Sequence, residues 1–241
     1  MNTRLKSIVK FMRYVDAYID IWDTDKYMMA LDAMADAYEG PRNVALDLGA
    51  HVGTRSIWLA TDGGFKRVYA VEMEPRNFQL LCGNVYKNNL QDIIIPILAA
   101  ISDRHELCSV YFGTANKGQY SICYDSEIKP RTGKIMSTPL SKLLDVIGAD
   151  EINFMKMDIE GAEYKIFAYP DRAMLHDVRF LFLERHGPNH DFFSDKFFSN
   201  MDYDPKDPQK KLFESLRYCG FEDIKENKIG QLMIYNKNFL G

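Results

Sequence analysis

The chain has 241 residues, 46% of them hydrophobic and 27% charged, with a formal net charge of −4. That is the make-up of an ordinary globular protein with enough residues to bury a substantial core, and the acidic balance weakens any case for a nucleic-acid phosphate backbone as partner. No apolar run approaches the roughly 18 residues of a membrane span, and the four cysteines (Cys82, Cys108, Cys123, Cys219) form no CxxC pair that would suggest zinc or a disulfide framework.

Residues 1–40 are expected to form an N-terminal helical extension, because Leu5, Ile8, Val9, Met12, Val15 and Ile19 recur at helical spacing. The mixed charges of "MNTRLKSIVKFMRYVDAY" do not suit a secretory signal, so a cytoplasmic location with reduced thiols is expected. Gly40-Pro41 breaks the pattern, and residues 41–241 form the expected second unit. From there short apolar runs alternate with helical stretches: "NVALDL" (43–48), "RVYAV" (67–71), "DIIIPIL" (92–98), "INFMKM" (152–157) and "VRFLFLE" (178–184). Unbroken runs of this kind suit parallel strands buried on both faces. "PRNFQLLCGNVYKNN" places Pro75 at a helix start and Phe78, Leu81 and Val85 on one side.

Two segments depart from the alternation. Residues 107–124, "LCSVYFGTANKGQYSICY", read as a hairpin-like insertion. Near the end, a helix starts at Asp207-Pro208 and stops at Gly220, and "FEDIKEN" and "QLMIYNK" should then pair antiparallel. The expected fold is therefore α/β: a doubly wound, mostly parallel seven-stranded sheet with an antiparallel C-terminal hairpin and N-terminal helices.

In such a sheet a ligand sits beyond the carboxyl ends of the strands. "DLGAHVGT" (47–54) occupies the first such turn, where Gly49 and Gly53 permit close backbone approach and the next helix offers free N–H groups. The spacing is GxxxG, not the GxGxxG of a pyrophosphate cofactor, and Asp47 precedes it. An acid there repels a pyrophosphate but attracts an ammonium or sulfonium, both of which S-adenosylmethionine carries. Glu72, just beyond the second strand, is placed to accept both ribose hydroxyls of an adenosine cofactor.

A second signature is "FMKMDIEGAEYKIF" (154–167), followed by "FLFLERHG" (180–187). Together with "LDLGAHVGT" and "VYAVEMEPRNFQLLCGNV", these resemble the FkbM family of S-adenosylmethionine-dependent methyltransferases over roughly residues 42–187. The most specific element is "KMDIEGAE", which resembles the family's Lys-x-Asp-x-Glu-Gly-x-Glu block. "STPLSKLLDVIGADEINF" and "ILAAISDRHE" resemble its lead-in and the segment after its third strand. The resemblance implies a class I, Rossmann-like methyltransferase fold. By position it implies that Asp47, Gly49, Ala50, His51, Gly53 and Thr54 line the methionine portion, that Glu72 and Met73 hold the ribose side, and that Ala100 and Ile101 lie near the adenine. Asp158 and Glu160 would face the transferable methyl, with Asp158 also touching the cofactor. Glu184 and His186 match the family's Glu-x-His. His51 stands where the family usually has Asn, and Ser141 where it usually has Asp.

Methyl transfer from a cationic sulfur needs mainly alignment, and an alcohol nucleophile also needs its proton removed. Asp158, Glu160, Glu184 and His186 are the catalytic candidates, with His186 or Glu160 as base and Asp158 orienting substrate or cofactor. Glu163 is expected to be a solvated or capping residue, and His186 could instead bond backbone in a loop. The four candidates could also hold Mg²⁺ or Mn²⁺, although no metal is assigned. Gly187-Pro188 rules out a helical zinc pair of His186 and His190. "HDFFSDKFFSNMDYDP" (190–205) suits a lid or a segment packed on the N-terminal helices.

The expected acceptor is a hydroxyl of a small molecule or glycan, with no nucleic-acid or membrane partner; the sequence leaves the oligomeric state open. Two alternatives stand beside this reading: an NAD-dependent oxidoreductase of Rossmann-like fold, and a non-catalytic S-adenosylmethionine-binding protein.

Overall fold

The computed structural model describes residues 38–112, 120–123, 131–148, 150–169, 175–186, 193, 195–226 and 231–239. The helices expected within residues 1–37 fall outside these. Seven strands form the main sheet: β1 (Val44–Leu48), β2 (Arg67–Glu72), β3 (Ile94–Leu98), β8 (Phe154–Met157), β9 (Phe180–Glu184), β10 (Phe221–Glu226) and β11 (Gln231–Asn236). Their order is β10-β11-β9-β8-β1-β2-β3, and β11 runs antiparallel to both of its neighbours while the pairs from β9 to β3 are parallel. The doubly wound sheet with a reversed C-terminal hairpin is therefore present.

Strand side chains alternate between the two faces, so each face has its own core. Ala45, Phe154, Phe180 and Phe182 pack against Ile57 and Trp58 of α1 (Thr54–Ala60) and Leu81 and Val85 of α2 (Pro75–Lys87). On the other face Leu46, Leu48, Met155, Met157 and Leu181 meet Tyr164 and Phe167 of α4 (Ala162–Ala168) and Leu212 and Leu216 of α6 (Pro208–Tyr218). Pro75 opens α2 and the Glu74 carboxylate accepts from the Asn77 amide at 2.7 Å, while Asp207 caps α6 in the same way. The chain leaves β1 toward β2 on one side, yet β8 returns on the other. Open α/β sheets bind ligands at such a reversal, here at the carboxyl ends of β1 and β8.

The insertion is larger than a hairpin. β5 (Leu107–Phe112) pairs antiparallel with β6 (Tyr120–Ser121), but its longer partner is β7 (Arg131–Pro139), which also runs parallel to β4 (Ala100–Ser102). These four strands form a separate sheet ordered β4-β7-β5-β6. The short helices α3 (Leu140–Ile147) and α5 (Asp195–Ser199) complete the described elements. No helix among the described residues is long and apolar enough to cross a membrane.

Candidate active site

The turn after β1 is stitched to its neighbours by backbone. Gly49 and Ala50 N–H both donate to the Val71 carbonyl, at 3.0 and 2.9 Å, and Asp158 N–H donates to the Leu48 carbonyl at 3.1 Å. Gly49 has φ +79°, and a Cβ there would lie 1.8 Å from the Asp158 carbonyl oxygen. The glycine exists because β8 crosses it, so the close approach it permits is to the protein's own backbone. Gly49→Ala is expected to cost about 2–4 kcal/mol, from left-handed strain and overpacking together. Gly83→Ala in α2 meets nothing within 4 Å and should be neutral or stabilising by up to about 1 kcal/mol. Thermal melts of the two variants check the contrast. His51 also sits in the left-handed region, at φ 54°, where Asn, Asp and His are enriched among non-glycine residues. That accounts for His at the position where the family resemblance expects Asn. Burial and the Lys156 charge push its imidazole down to about 4, so the ring is neutral.

Asp47 does not look into open space. It is fully buried, lies directly across the strand pair from Lys156, accepts from the Ser56 hydroxyl at 2.6 Å and meets Lys156 Nζ at 3.4 Å. Lys156 is itself 1% exposed; it donates to the Gly49 carbonyl at 2.8 Å and reaches Asp158 at 3.2 Å. The charge expected to draw a cationic ligand at Asp47 is thus met by a lysine within the chain. At the end of β2, Glu72 is buried. Its Oε2 accepts from His51 N–H and its Oε1 from Glu74 N–H, both at 2.8 Å. Burial raises its pKa despite these bonds. Each carboxylate oxygen can accept a second hydrogen bond, which suits two vicinal hydroxyls. Met73 is half-buried beside it, and Ala99 N–H donates to the Glu72 carbonyl at 3.0 Å. This places the start of β4 next to the Glu72 strand end, while the side chains of Ala100 and Ile101 are 1% and 4% exposed and join the core. Ala50 and Thr54 are buried too.

The catalytic candidates do come together, at the ends of β8 and β9. His186 Nε2 lies 3.4 Å from Glu160 and 3.6 Å from Asp158, and its Nδ1 is 2.8 Å from Glu163 Oε1. Arg55 bridges Asp158 (2.9 Å) and Glu184 (3.4 Å), and Gln231 donates to Glu184 at 2.9 Å. Burial alone would raise the Asp158 pKa, but Lys156, Arg55 and His186 hold it well below the usual carboxylate range. For His186 burial opposes the charged form, and Glu160, Glu163 and Asp158 outweigh it, raising the imidazole well above its ordinary value. Glu160 has φ 53°, its carbonyl accepting from the Ser121 hydroxyl of β6.

Three residues of this cluster are not among the catalytic or cofactor candidates of the sequence. Lys156 is a charge inside an apolar strand run, a visible signal that its burial explains. Glu163 does cap, accepting from Gly161 N–H at 2.9 Å, but it is fully buried instead of solvated. Arg55, on the first turn of α1, has no distinguishing pattern. Of the Phe-rich segment, residues 193 and 195–205 are described, whereas the N-terminal helices it could pack on lie outside the described residues. Phe193 fills the space above Gly161, and Phe198 meets Tyr164 of α4 at 5.1 Å between ring centroids.

Asp158, Glu184 and His186 offer ligand atoms within 4.8 Å of one another, the kind of group a divalent ion uses. The Arg55 guanidinium already spans both carboxylates of that group. The carboxylates of Asp47, Asp158, Glu160, Glu163 and Glu184 face the cations Arg55 and Lys156 and the imidazole of His186. A surplus of negative charge fits a cationic ligand, and Glu72 fits a ribose.

A family model described as the methyltransferase FkbM domain matches residues 47–222. No curated protein matches the chain in sequence. Among solved structures, the METTL16 methyltransferase domain is similar at TM-score 0.50 and 13% identity, over 86% of this chain and 64% of that one. The M. jannaschii TYW2 structure, in complex with AdoMet, gives TM-score 0.43 and 16% identity over 91% of this chain and 77% of that one. This chain therefore spans somewhat under two thirds of the METTL16 domain's length, and the likeness between them is one of fold.

Proposed function

Because the chain belongs to the FkbM methyltransferase family, whose methyl donor is S-adenosylmethionine, we propose that it methylates a hydroxyl of a sugar, glycan or other small molecule. The observation that carries this reading is His186, whose Nε2 faces Asp158 and Glu160 at the carboxyl ends of the central strands. When bound, the donor supplies a methyl group on a cationic sulfur, already a good leaving group.

The chain's own residues supply the rest. Glu72 would hold the ribose hydroxyls through its two remaining acceptor positions. Gly49, Ala50, His51, Gly53 and Thr54 shape the turn beside the methionine portion, Met73 borders the ribose, and Ala100 and Ile101 border the adenine. Asp47 acts through Lys156, which it fixes beneath the turn. Asp158, held by Arg55 and Lys156, orients donor and acceptor. His186 takes the hydroxyl proton at Nε2, with Glu160 beside it, and Glu184 anchors Arg55. Alignment and one positioned base are what alcohol methylation requires. The acidic net charge supports a partner other than nucleic acid, and four free thiols support a cytoplasmic location.

Arg55 provides the positive charge between Asp158 and Glu184, so chelation with EDTA is expected to leave the transfer rate unchanged; a loss restored by Mg²⁺ would contradict this role. The acceptor class is tested with methyl-labelled S-adenosylmethionine against a panel of sugars, glycans, small alcohols and transfer RNA. Label in the hydroxyl compounds alone supports the proposal, and label in the RNA alone overturns it.

A further inference from the structure

We infer that Glu163 is the positioning residue for His186: its carboxylate holds the imidazole by Nδ1 and turns Nε2 toward Glu160 and Asp158. The inference rests on the reading that His186 takes the acceptor's proton. Glu163 stands at the second residue of α4, where an acid usually needs nothing more than the helix dipole and water. Here it is fully buried, and burying a carboxylate is costly unless donors surround it. The donors come from two separate loops. Oε2 accepts from Gly161 N–H at 2.9 Å, while Oε1 accepts from the His186 backbone N–H at 3.2 Å and lies 2.8 Å from Nδ1.

The consequences follow from counting protons. A carboxylate pinned by two backbone amides cannot swing away, and it can only accept from Nδ1. The neutral ring therefore keeps its proton on Nδ1 and its lone pair on Nε2, the nitrogen that faces Glu160 and Asp158. The same oxygen fixes both the main chain and the ring of His186, so the ring's direction is set before any acceptor arrives. A base and a carboxylate that orients it are parts that nucleophile-activating dyads share. Glu163 touches neither substrate nor donor in this scheme; it acts through His186. Among the described residues, the charged groups facing the ring include Glu163 from α4 and Glu160 and Asp158 from the β8–α4 turn, with Arg55 and Lys156 behind Asp158.

The test is long-range ¹H–¹⁵N NMR on the full ¹⁵N-labelled chain, with and without S-adenosylhomocysteine, the His186 signals being assigned by their absence from H186Q. In the wild-type protein the neutral ring is expected to be the Nδ1–H tautomer. In E163Q the titration midpoint should fall by at least one pH unit and the neutral ring should shift toward Nε2–H, while E163D should retain Nδ1–H. A wild-type ring protonated on Nε2 when neutral overturns the inference without any variant, as does an E163Q spectrum with unchanged midpoint and tautomer. The Nδ1–H tautomer found together with an undiminished H186A transfer rate would overturn the base reading instead, and the role of Glu163 with it.

Discussion

His186→Ala is expected to slow single-turnover methyl transfer to a hydroxyl acceptor by about 10²–10⁴-fold, the range lost when a positioned general base is removed, with S-adenosylmethionine affinity changed by less than about threefold. The separation follows from geometry. His186 meets Asp158, Glu160 and Glu163, whereas Glu72, proposed to hold the ribose, belongs to the end of β2. Some stability goes too, because buried Glu163 loses a donor, for about 1–3 kcal/mol. The pH dependence has a definite sign. Three carboxylates raise the imidazole well above its ordinary value, and the base is useful only when neutral. The wild-type rate should therefore climb with pH through that raised value. Stability runs the other way: the ion pairs of protonated His186 contribute fully below the ordinary imidazole pKa and are lost as pH rises through the folded one. A rate that falls with pH over that window would refute the base assignment.

Lys156→Met is expected to destabilise the protein by about 3–5 kcal/mol, the usual result of removing one partner of a buried ion pair. Lys156 and Asp47 are 1% and 0% exposed, 3.4 Å apart and in register across β1 and β8. Methionine preserves the length of the chain but leaves the Asp47 charge uncompensated and removes the donor to the Gly49 carbonyl. A melting temperature lower by about 10 °C or more is the readout at this chain length. Asp47→Leu combined with Lys156→Met should recover more than half of the loss, since replacing a whole buried pair by apolar residues is often close to neutral. Strictly additive losses in that double-mutant cycle would show that the two charges do not compensate each other.

These two residues also mark where reading the chain stops short. Strands β1, β2, β3, β8 and β9 are legible because each is an apolar run bounded by turn residues, and the C-terminal hairpin because of its short connection. Strand β7 is not: Arg131–Pro139 mixes charge, glycine and serine, and it is extended only because it pairs with β5 and β4. Lys156 sits in plain view within "INFMKM", but its meaning depends on Asp47 and on the Gly49 carbonyl 107 positions away. Glu163 reads locally as a cap, and is one. Its second role appears only when the loop after β9 brings His186 against it. The acids Asp158, Glu160 and Glu184 are legible through the family resemblance of "KMDIEGAE" and "FLFLERHG", whereas Arg55 is hidden because nothing local distinguishes it from other helix-surface arginines. Asp47 shows the limit from the other side: the residue was singled out, but its charge turned out to serve Lys156.

The strand ends of β1, β2 and β8 are expected to receive a positively charged adenosine compound. Isothermal titration calorimetry of the full chain with S-adenosylmethionine, S-adenosylhomocysteine and NAD tests this directly. Saturable binding of the first two, none of NAD, and a roughly 10–100-fold weaker S-adenosylmethionine affinity in Glu72→Gln, as expected for a lost charged hydrogen bond, is the predicted result. Absence of heat with both sulfur nucleosides, or NAD binding that depends on Glu72, would contradict it.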